Sequence, residues 1–169
     1  LLGRDESIDG VKTGHTEAAG YCLVGSAKRD GLRIVATVMG TEGARYRAEA
    51  VYSLLKYGFA AYEMHRVYRA GAAVVNAVPV YKGDRSSVAV GVSQDVQLIL
   101  PKGAGAGLEA SVIVNEPLIA PLDQQQQVGK LILGLEGKEI GVYPLVTLDA
   151  INQGSWTRRM LDVIRLRFR

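Results

Sequence analysis

Two apolar runs, residues 21–28 and 32–39, flank the tripeptide Arg29-Asp30-Gly31. Asp-Gly tolerates the positive φ angles of a tight two-residue turn, so the three pieces predict a β-hairpin. Both runs are apolar almost throughout, as expected of strands whose two faces are covered. A chain built on such a hairpin must therefore supply layers over it. A short candidate strand at 8–13 precedes the hairpin, and a helix is predicted to follow from 44 to 63. Along it Val51, Leu54, Leu55, Gly58, Phe59 and Tyr62 recur at helical spacing and predict one buried stripe. Arg45 and Glu49, four apart on another face, predict a solvated ion pair. Strands followed by a covering helix make this block α+β.

The texture changes beyond residue 66. Short β-type runs alternate with turn signals up to about 152. Strands are predicted near 73–81, 87–92, 96–100, 108–114, 128–136 and 139–148, with Gly137-Lys138 as a hairpin turn. Pro79 and Pro144 imply edge or irregular positions. Strands at this spacing favour an all-β, sandwich-like or barrel-like domain. Residues 103–107, Gly-Ala-Gly-Ala-Gly, lack the Gly-Lys-Ser/Thr ending of a phosphate loop, so a flexible turn is expected. Residues 124–127, all Gln, read as a solvated loop.

The 169 residues leave room for one ordinary domain or two small ones, and 48% are hydrophobic, which excludes global disorder. The net charge is +3, but residues 155–169 alone carry +4, leaving −1 for the rest. Nothing in that near-neutral body reads as a nucleic-acid surface. Cys22 is the single cysteine and lies in an apolar run, so it is expected to be a small buried hydrophobe. No stretch is long enough to span a bilayer. The chain opens on Leu1 with no Met, as a piece of a longer precursor would.

The tail, residues 155–169, has a helical pattern. Trp156, Met160, Val163, Ile164 and Phe168 follow one stripe, with Leu161 beside it; Arg158, Arg159, Arg165 and Arg169 fall largely opposite. A basic amphipathic helix with Trp and Phe on its apolar face suits a membrane surface, with Trp156, Met160, Ile164 and Phe168 as the inserting residues. The alternative is a helix packed on the protein itself.

The chemically informative segment is Asp9-Gly10-Val11-Lys12-Thr13-Gly14-His15-Thr16. A strand ending in Gly lets a substrate or another backbone approach closely. Lys12 supplies a fixed positive charge and Thr13 a short hydroxyl donor. Side by side they suit an anionic group, because hydrogen bonds to a charge are the strong ones. No cofactor or metal is implied.

Lys-Thr-Gly is also the third motif of serine β-lactamases and penicillin-binding proteins. The longer string Val11-Lys12-Thr13-Gly14-His15-Thr16-Glu17-Ala18-Ala19-Gly20-Tyr21 resembles the serine D-alanyl-D-alanine carboxypeptidases, the low-molecular-weight penicillin-binding proteins of peptidase S11 type. The likeness continues through Val38-Met39-Gly40, Leu54-Leu55-Lys56-Tyr57-Gly58-Phe59, Leu98-Ile99-Leu100-Pro101-Lys102-Gly103, Ala120-Pro121-Leu122 and Tyr143-Pro144-Leu145-Val146. The resemblance implies three parts. Residues 1–63 would be the C-terminal part of a transpeptidase-like domain, a partial sheet with its covering helix. Residues 66–152 would be a β-rich domain, and 155–169 a membrane-anchoring helix.

It also implies chemistry. A serine attacks the carbonyl between two D-alanines of a peptidoglycan stem peptide, the terminal D-Ala leaves, and water releases the acyl group. β-Lactams acylate the same serine. Lys12 would direct positive potential to the substrate carboxylate and the reacting centre. Thr13 would donate to that carboxylate, Gly14 would let the substrate approach, and the His15 N–H would be one oxyanion donor. The His15 side chain would line the pocket. Arg47 matches the position that holds the terminal carboxylate. Its place in the first turns of the helix, where the dipole disfavours a cation, fits an anion nearby, and plain solvent exposure accounts for it as well. The implied location is the periplasmic face of the bacterial inner membrane.

The family's Ser-x-Asn motif is absent from the sequence. Ser-x-x-Lys occurs only as Ser53-Leu54-Leu55-Lys56, after Lys-Thr-Gly instead of before it and inside the predicted helix, where a hydroxyl bonds back to its own turn. The expected partner is thus the missing N-terminal half of the same domain, carrying the nucleophile, and the chain alone is expected to be inactive. Two other readings stay open: a non-catalytic membrane-proximal module, and a β-lactamase-like hydrolase, against which the β-rich block and basic tail argue.

Overall fold

The computed structural model describes residues 2–167, so Phe168 and Arg169 lie outside the described residues. The chain forms two compact units, residues 1–65 with 98–105, and residues 66–97 with 106–169. The fold is α+β.

In the first unit, β1 (Ile8–Thr16), β2 (Gly20–Arg29) and β3 (Leu32–Thr41) form an antiparallel sheet in chain order. The Asp30-Gly31 turn forms as its sequence dictates: both residues have positive φ, and Arg29 pairs directly with Leu32. Helix α1 (Ala44–Ala61) covers one face. Val51 and Leu55, almost fully buried, meet Ile8, Leu23, Ala27 and Ala36 of the sheet. Each such valine, leucine or isoleucine contributes about 1.5–3 kcal/mol on burial. The helix sits close because two glycines make room. A Cβ on Gly25 would lie 2.4 Å from Val51 Cγ1, and one on Gly58 would lie 2.4 Å from Ile34 Cδ1.

The buried stripe differs from the expected one. Leu54 is 47% exposed, and Ala48 and Tyr52 pack against the core in its neighbourhood. The helix stops at Ala61, so Tyr62 and Glu63 belong to β4 (Tyr62–Tyr68). Arg45 and Glu49 do form the exposed i,i+4 ion pair, at 2.9 Å. Cys22 is half-buried, its Sγ turned to the Ala19 carbonyl at 3.4 Å, and is not a core residue.

β4 pairs with β7 (Val96–Pro101) as a two-stranded ribbon across which the division of the chain runs. Residues 104–107 form a 3-10 turn where a flexible turn was expected. Within the first unit, Gly103 N–H donates to Glu63 Oε1 at 3.0 Å, and the His65 ring lies so close to Gly105 that a Cβ there would be 2.4 Å away.

The second unit is a six-stranded sheet in the order β8-β10-β11-β6-β5-β9. The strands are β5 (Ala73–Tyr81), β6 (Ser87–Gly91), β8 (Leu108–Val114), β9 (Leu118–Ile119), β10 (Gln127–Leu135) and β11 (Lys138–Thr147). Val78 and Val80 of β5 share one core with Val128 of β10, three places away in the strand order, so the sheet curls over its own interior. The β10–β11 turn is Glu136-Gly137, both at positive φ, and not Gly137-Lys138. Pro144 sits in an interior strand, yet β6 pairs with β11 only at Val146 and Thr147, so its missing N–H disrupts no ladder there. Helix α2 (Trp156–Arg167) closes the chain.

Candidate functional site

β1 pairs with β2 alone, in the register Lys12–Val24, Thr13–Leu23, Gly14–Cys22 and His15–Tyr21. Its second edge has no strand partner among the described residues. Residues 11–16 are all exposed. An unpaired strand edge offers a row of N–H and C=O groups to an extended peptide.

Arg47 reaches back from the first turn of α1 to this edge. Its Nη1 donates to the carbonyl oxygens of Gly14 at 2.8 Å and Cys22 at 3.1 Å. Its guanidinium carbon lies 5.3 Å from the centroid of Tyr21, and Tyr21 in turn packs on the His15 ring at 4.0 Å. Arg47 is thus half-buried and tied to the strand, not simply solvated. Both bonds use Nη1, one nitrogen of a group that carries five N–H donors, which leaves donors for a further acceptor.

Lys12 Nζ donates to the neighbouring Thr13 carbonyl at 2.7 Å and makes no ion pair among the described residues. A cavity of about 450 Å3 brings Lys12, Thr13 and Arg47 together with Val11, Leu23 and Ala48. No acidic side chain lines it. Two cations and a hydroxyl around one hollow can hold an anion. His15 and Gly14 stand beside the hollow on the same strand without lining it. Among the described residues no cluster of His, Cys, Asp or Glu could hold a metal.

Ser53 is exposed in the middle of α1, and Lys56 turns to the Tyr52 ring at 5.9 Å. Nothing pairs the two as nucleophile and base. The sheet face opposite α1 exposes Val35 (57%) and Met39 (73%), and β3 also has a free edge among the described residues.

Trp156, Met160 and Ile164 are exposed on α2, as are Leu161 and Val163. Among the described residues no helix is long and apolar enough to cross a membrane. The residue that sequence reasoning missed is Asp162. It is 5% exposed, and its Oδ2 accepts the backbone N–H of Lys82 at 2.7 Å. Lys82 has φ +59 and directly follows the last residue of β5. No local signal marks the pairing, since the donor lies 80 residues earlier.

Comparison with known proteins shows the family to which the chain belongs. Residues 62–153 match the family model described as penicillin-binding protein 5, C-terminal domain, and residues 1–43 match that of D-alanyl-D-alanine carboxypeptidase. The D-alanyl-D-alanine carboxypeptidase DacA of Escherichia coli K12 is 37% identical over 163 residues, covering 96% of this chain and 40% of that protein. Penicillin-binding protein 5 of Haemophilus influenzae superposes with a TM-score of 0.74 at 34% identity, covering 87% of this chain and 43% of the other. The carboxypeptidase DacD of Francisella tularensis gives 0.63 at 34% identity, covering 90% and 38%. The chain spans about two fifths of the length of the curated relatives it matches. It belongs to the D-alanyl-D-alanine carboxypeptidase family of penicillin-binding protein 5 type, and corresponds to that family's C-terminal portion.

Proposed function

We propose that this chain supplies one wall of the active site of a serine D-Ala-D-Ala carboxypeptidase, together with its β-rich domain and membrane-binding helix. The parent enzyme removes the terminal D-alanine from peptidoglycan stem peptides through an acyl-enzyme, and β-lactams acylate the same serine. The reading rests on one observation: Lys12, Thr13 and Arg47 meet around one cavity at an unpaired strand edge.

In this scheme the substrate lies along β1. Thr13 Oγ1 and the free donors of Arg47 hold its terminal carboxylate, and Lys12 biases the site toward negative charge. The N–H of His15 donates to the oxyanion, Gly14 gives the backbone room, and Tyr21 braces the His15 ring. The serine and its base come from the N-terminal half of the same domain. The bare face at Val35 and Met39 and the free edge of β3 support such a partner, because an open apolar sheet face is normally covered. Residues 1–63 are then the end of the transpeptidase-like domain, 66–152 the β domain and 155–169 the anchor.

For the tail, the exposure of Trp156, Met160 and Ile164 favours insertion into a bilayer at the periplasmic face of the inner membrane. The helix docks through a buried carboxylate and keeps its apolar stripe outward, the reverse of a helix packed on its own protein.

Titration of the labelled chain with a peptide ending in D-Ala-D-Ala, followed by NMR, tests the substrate assignment. Shifts gathered at Lys12, Thr13, His15 and Arg47, and lost in Lys12→Ala and Arg47→Ala, are expected. Shifts scattered elsewhere would remove it.

A further inference from the structure

On the β5 side of α2 lies a hollow of about 240 Å3 lined by Lys82, Trp156, Arg159, Met160 and Val163. We propose that it binds the phosphate of an anionic phospholipid headgroup, clamped between Lys82 of the β domain and Arg159 of the helix. The proposal rests on the membrane reading of α2 and adds to it a headgroup site to which the β domain contributes.

Two of the cations around α2 are engaged by the protein itself. Arg158 Nη1 donates to the Asp84 carbonyl at 3.1 Å, and Arg165 turns to Asp162 at 3.5 Å. Lys82 Nζ and the Arg159 guanidinium have no hydrogen bond or ion pair among the described residues, and no acid lines their hollow. Two unneutralised cations facing one cavity call for an anion with several acceptor oxygens, and a phosphate fits both. The remaining lining says which phosphate. Trp156 (73% exposed), Met160 (57%) and Val163 (52%) form the same wall and continue into the apolar stripe. A free phosphate would leave that apolar wall in water; a phospholipid places acyl chains against it. Trp at the headgroup level, with basic groups beside it, is the usual arrangement at a bilayer interface.

The geometry is held by the Asp162–Lys82 backbone bond. That bond fixes the helix beside the Lys82 turn, so the two cations keep their separation without help from the lipid. Preorganisation of this kind removes an ordering cost from binding.

The test is vesicle binding of this chain, read by the emission shift of its single tryptophan, Trp156. Vesicles of phosphatidylcholine are compared with equimolar phosphatidylcholine–phosphatidylglycerol. The expected result is tighter binding to the anionic vesicles, weakened about fivefold by Lys82→Gln and about fivefold by Arg159→Gln, from about 1 kcal/mol per basic residue at a charged surface. Because both grip one phosphate, the Lys82→Gln/Arg159→Gln double variant should bind scarcely worse than either single one. Arg167→Gln, on the same helix outside the hollow, should multiply independently with Arg159→Gln. Losses that multiply for Lys82 and Arg159 too would overturn the clamp in favour of a diffuse field. Equal affinity for both vesicles, unchanged in Lys82→Gln, would overturn it and leave the membrane reading standing. A saturable Trp156 shift with inorganic phosphate alone would overturn the lipid assignment. Absence of vesicle binding, with Met160→Asp indistinguishable from the parent, would remove both readings.

Discussion

Substituting Gly25 by Ala tests how α1 is mated to the sheet. The new methyl would lie 2.4 Å from Val51 Cγ1, with Leu55 Cδ1 at 3.7 Å. A carbon pair needs about 3.5–4.0 Å, so more than an ångström must be found. Val51 is fully buried and β-branched on a helix, which fixes its χ1, so it cannot swing aside cheaply. Overpacking of this kind costs about 1–3 kcal/mol. The readout is amide hydrogen exchange in β2, β3 and α1, which should speed up roughly 5- to 150-fold for that range. Val51→Ala alone loses two buried carbons, about 1.6 kcal/mol before any cavity cost. The double variant should cost clearly less than the sum, because removing Cγ1 vacates the space the new methyl needs. Additive costs, or unchanged protection in the Gly25 variant, would refute the packing argument.

Further outcomes follow from the same structure. Asp162→Ala leaves the Lys82 N–H without its acceptor under α2 and should cost about 1–3 kcal/mol, measured by denaturant unfolding followed at Trp156. The Glu63 carboxyl is held below its ordinary range, first by the Gly103 N–H and then by His65. A depressed folded pKa means its contribution is complete at neutral pH and is lost as pH falls through that lowered value. Exchange protection at residues 102–107 should therefore drop in acid, and Glu63→Gln should flatten the profile; an acid response unchanged in Glu63→Gln would contradict this. Arg33 sets the same sign for Asp9 and Arg29 for Asp5, after the local Ser7 bonds in the latter case, so acid should also loosen the β1 side of the sheet.

Much of the fold was readable because local chemistry decided it. Asp30-Gly31 could make one kind of turn, and the short spacing of apolar runs left little choice but strands. The failures have physical causes too. Tyr62-Glu63-Met64-His65-Arg66-Val67-Tyr68 follows α1 with no glycine stop and no clean alternation, so the helix is expected to run on through Tyr62 and Glu63 and no strand is expected over the rest of β4. Leu54 looked like core because helical spacing places it next to Leu55, but the Gly25 and Gly58 contacts rotate the buried face toward Val51. The site was legible as the string Lys12-Thr13-Gly14-His15, whereas the tie from Arg47 to the carbonyl oxygens of Gly14 and Cys22 depends on distant segments meeting. Asp162 gives no signal in the sequence because its partner is a backbone amide, which carries no side-chain signature.

The central claim is that Lys12 and its strand serve a nucleophile located elsewhere. Labelled penicillin, incubated with this chain alone and with the chain fused to a relative's N-terminal segment bearing Ser-x-x-Lys and Ser-x-Asn, tests it by intact and peptide mass. The expected result is no adduct on the chain alone and an acyl adduct on the supplied serine in the fusion. Lys12→Ala should slow formation of that adduct about a hundredfold, the scale of one lost electrostatic contact to the reacting centre. An adduct on any residue of this chain, or labelling of the fusion indifferent to Lys12, would contradict the account.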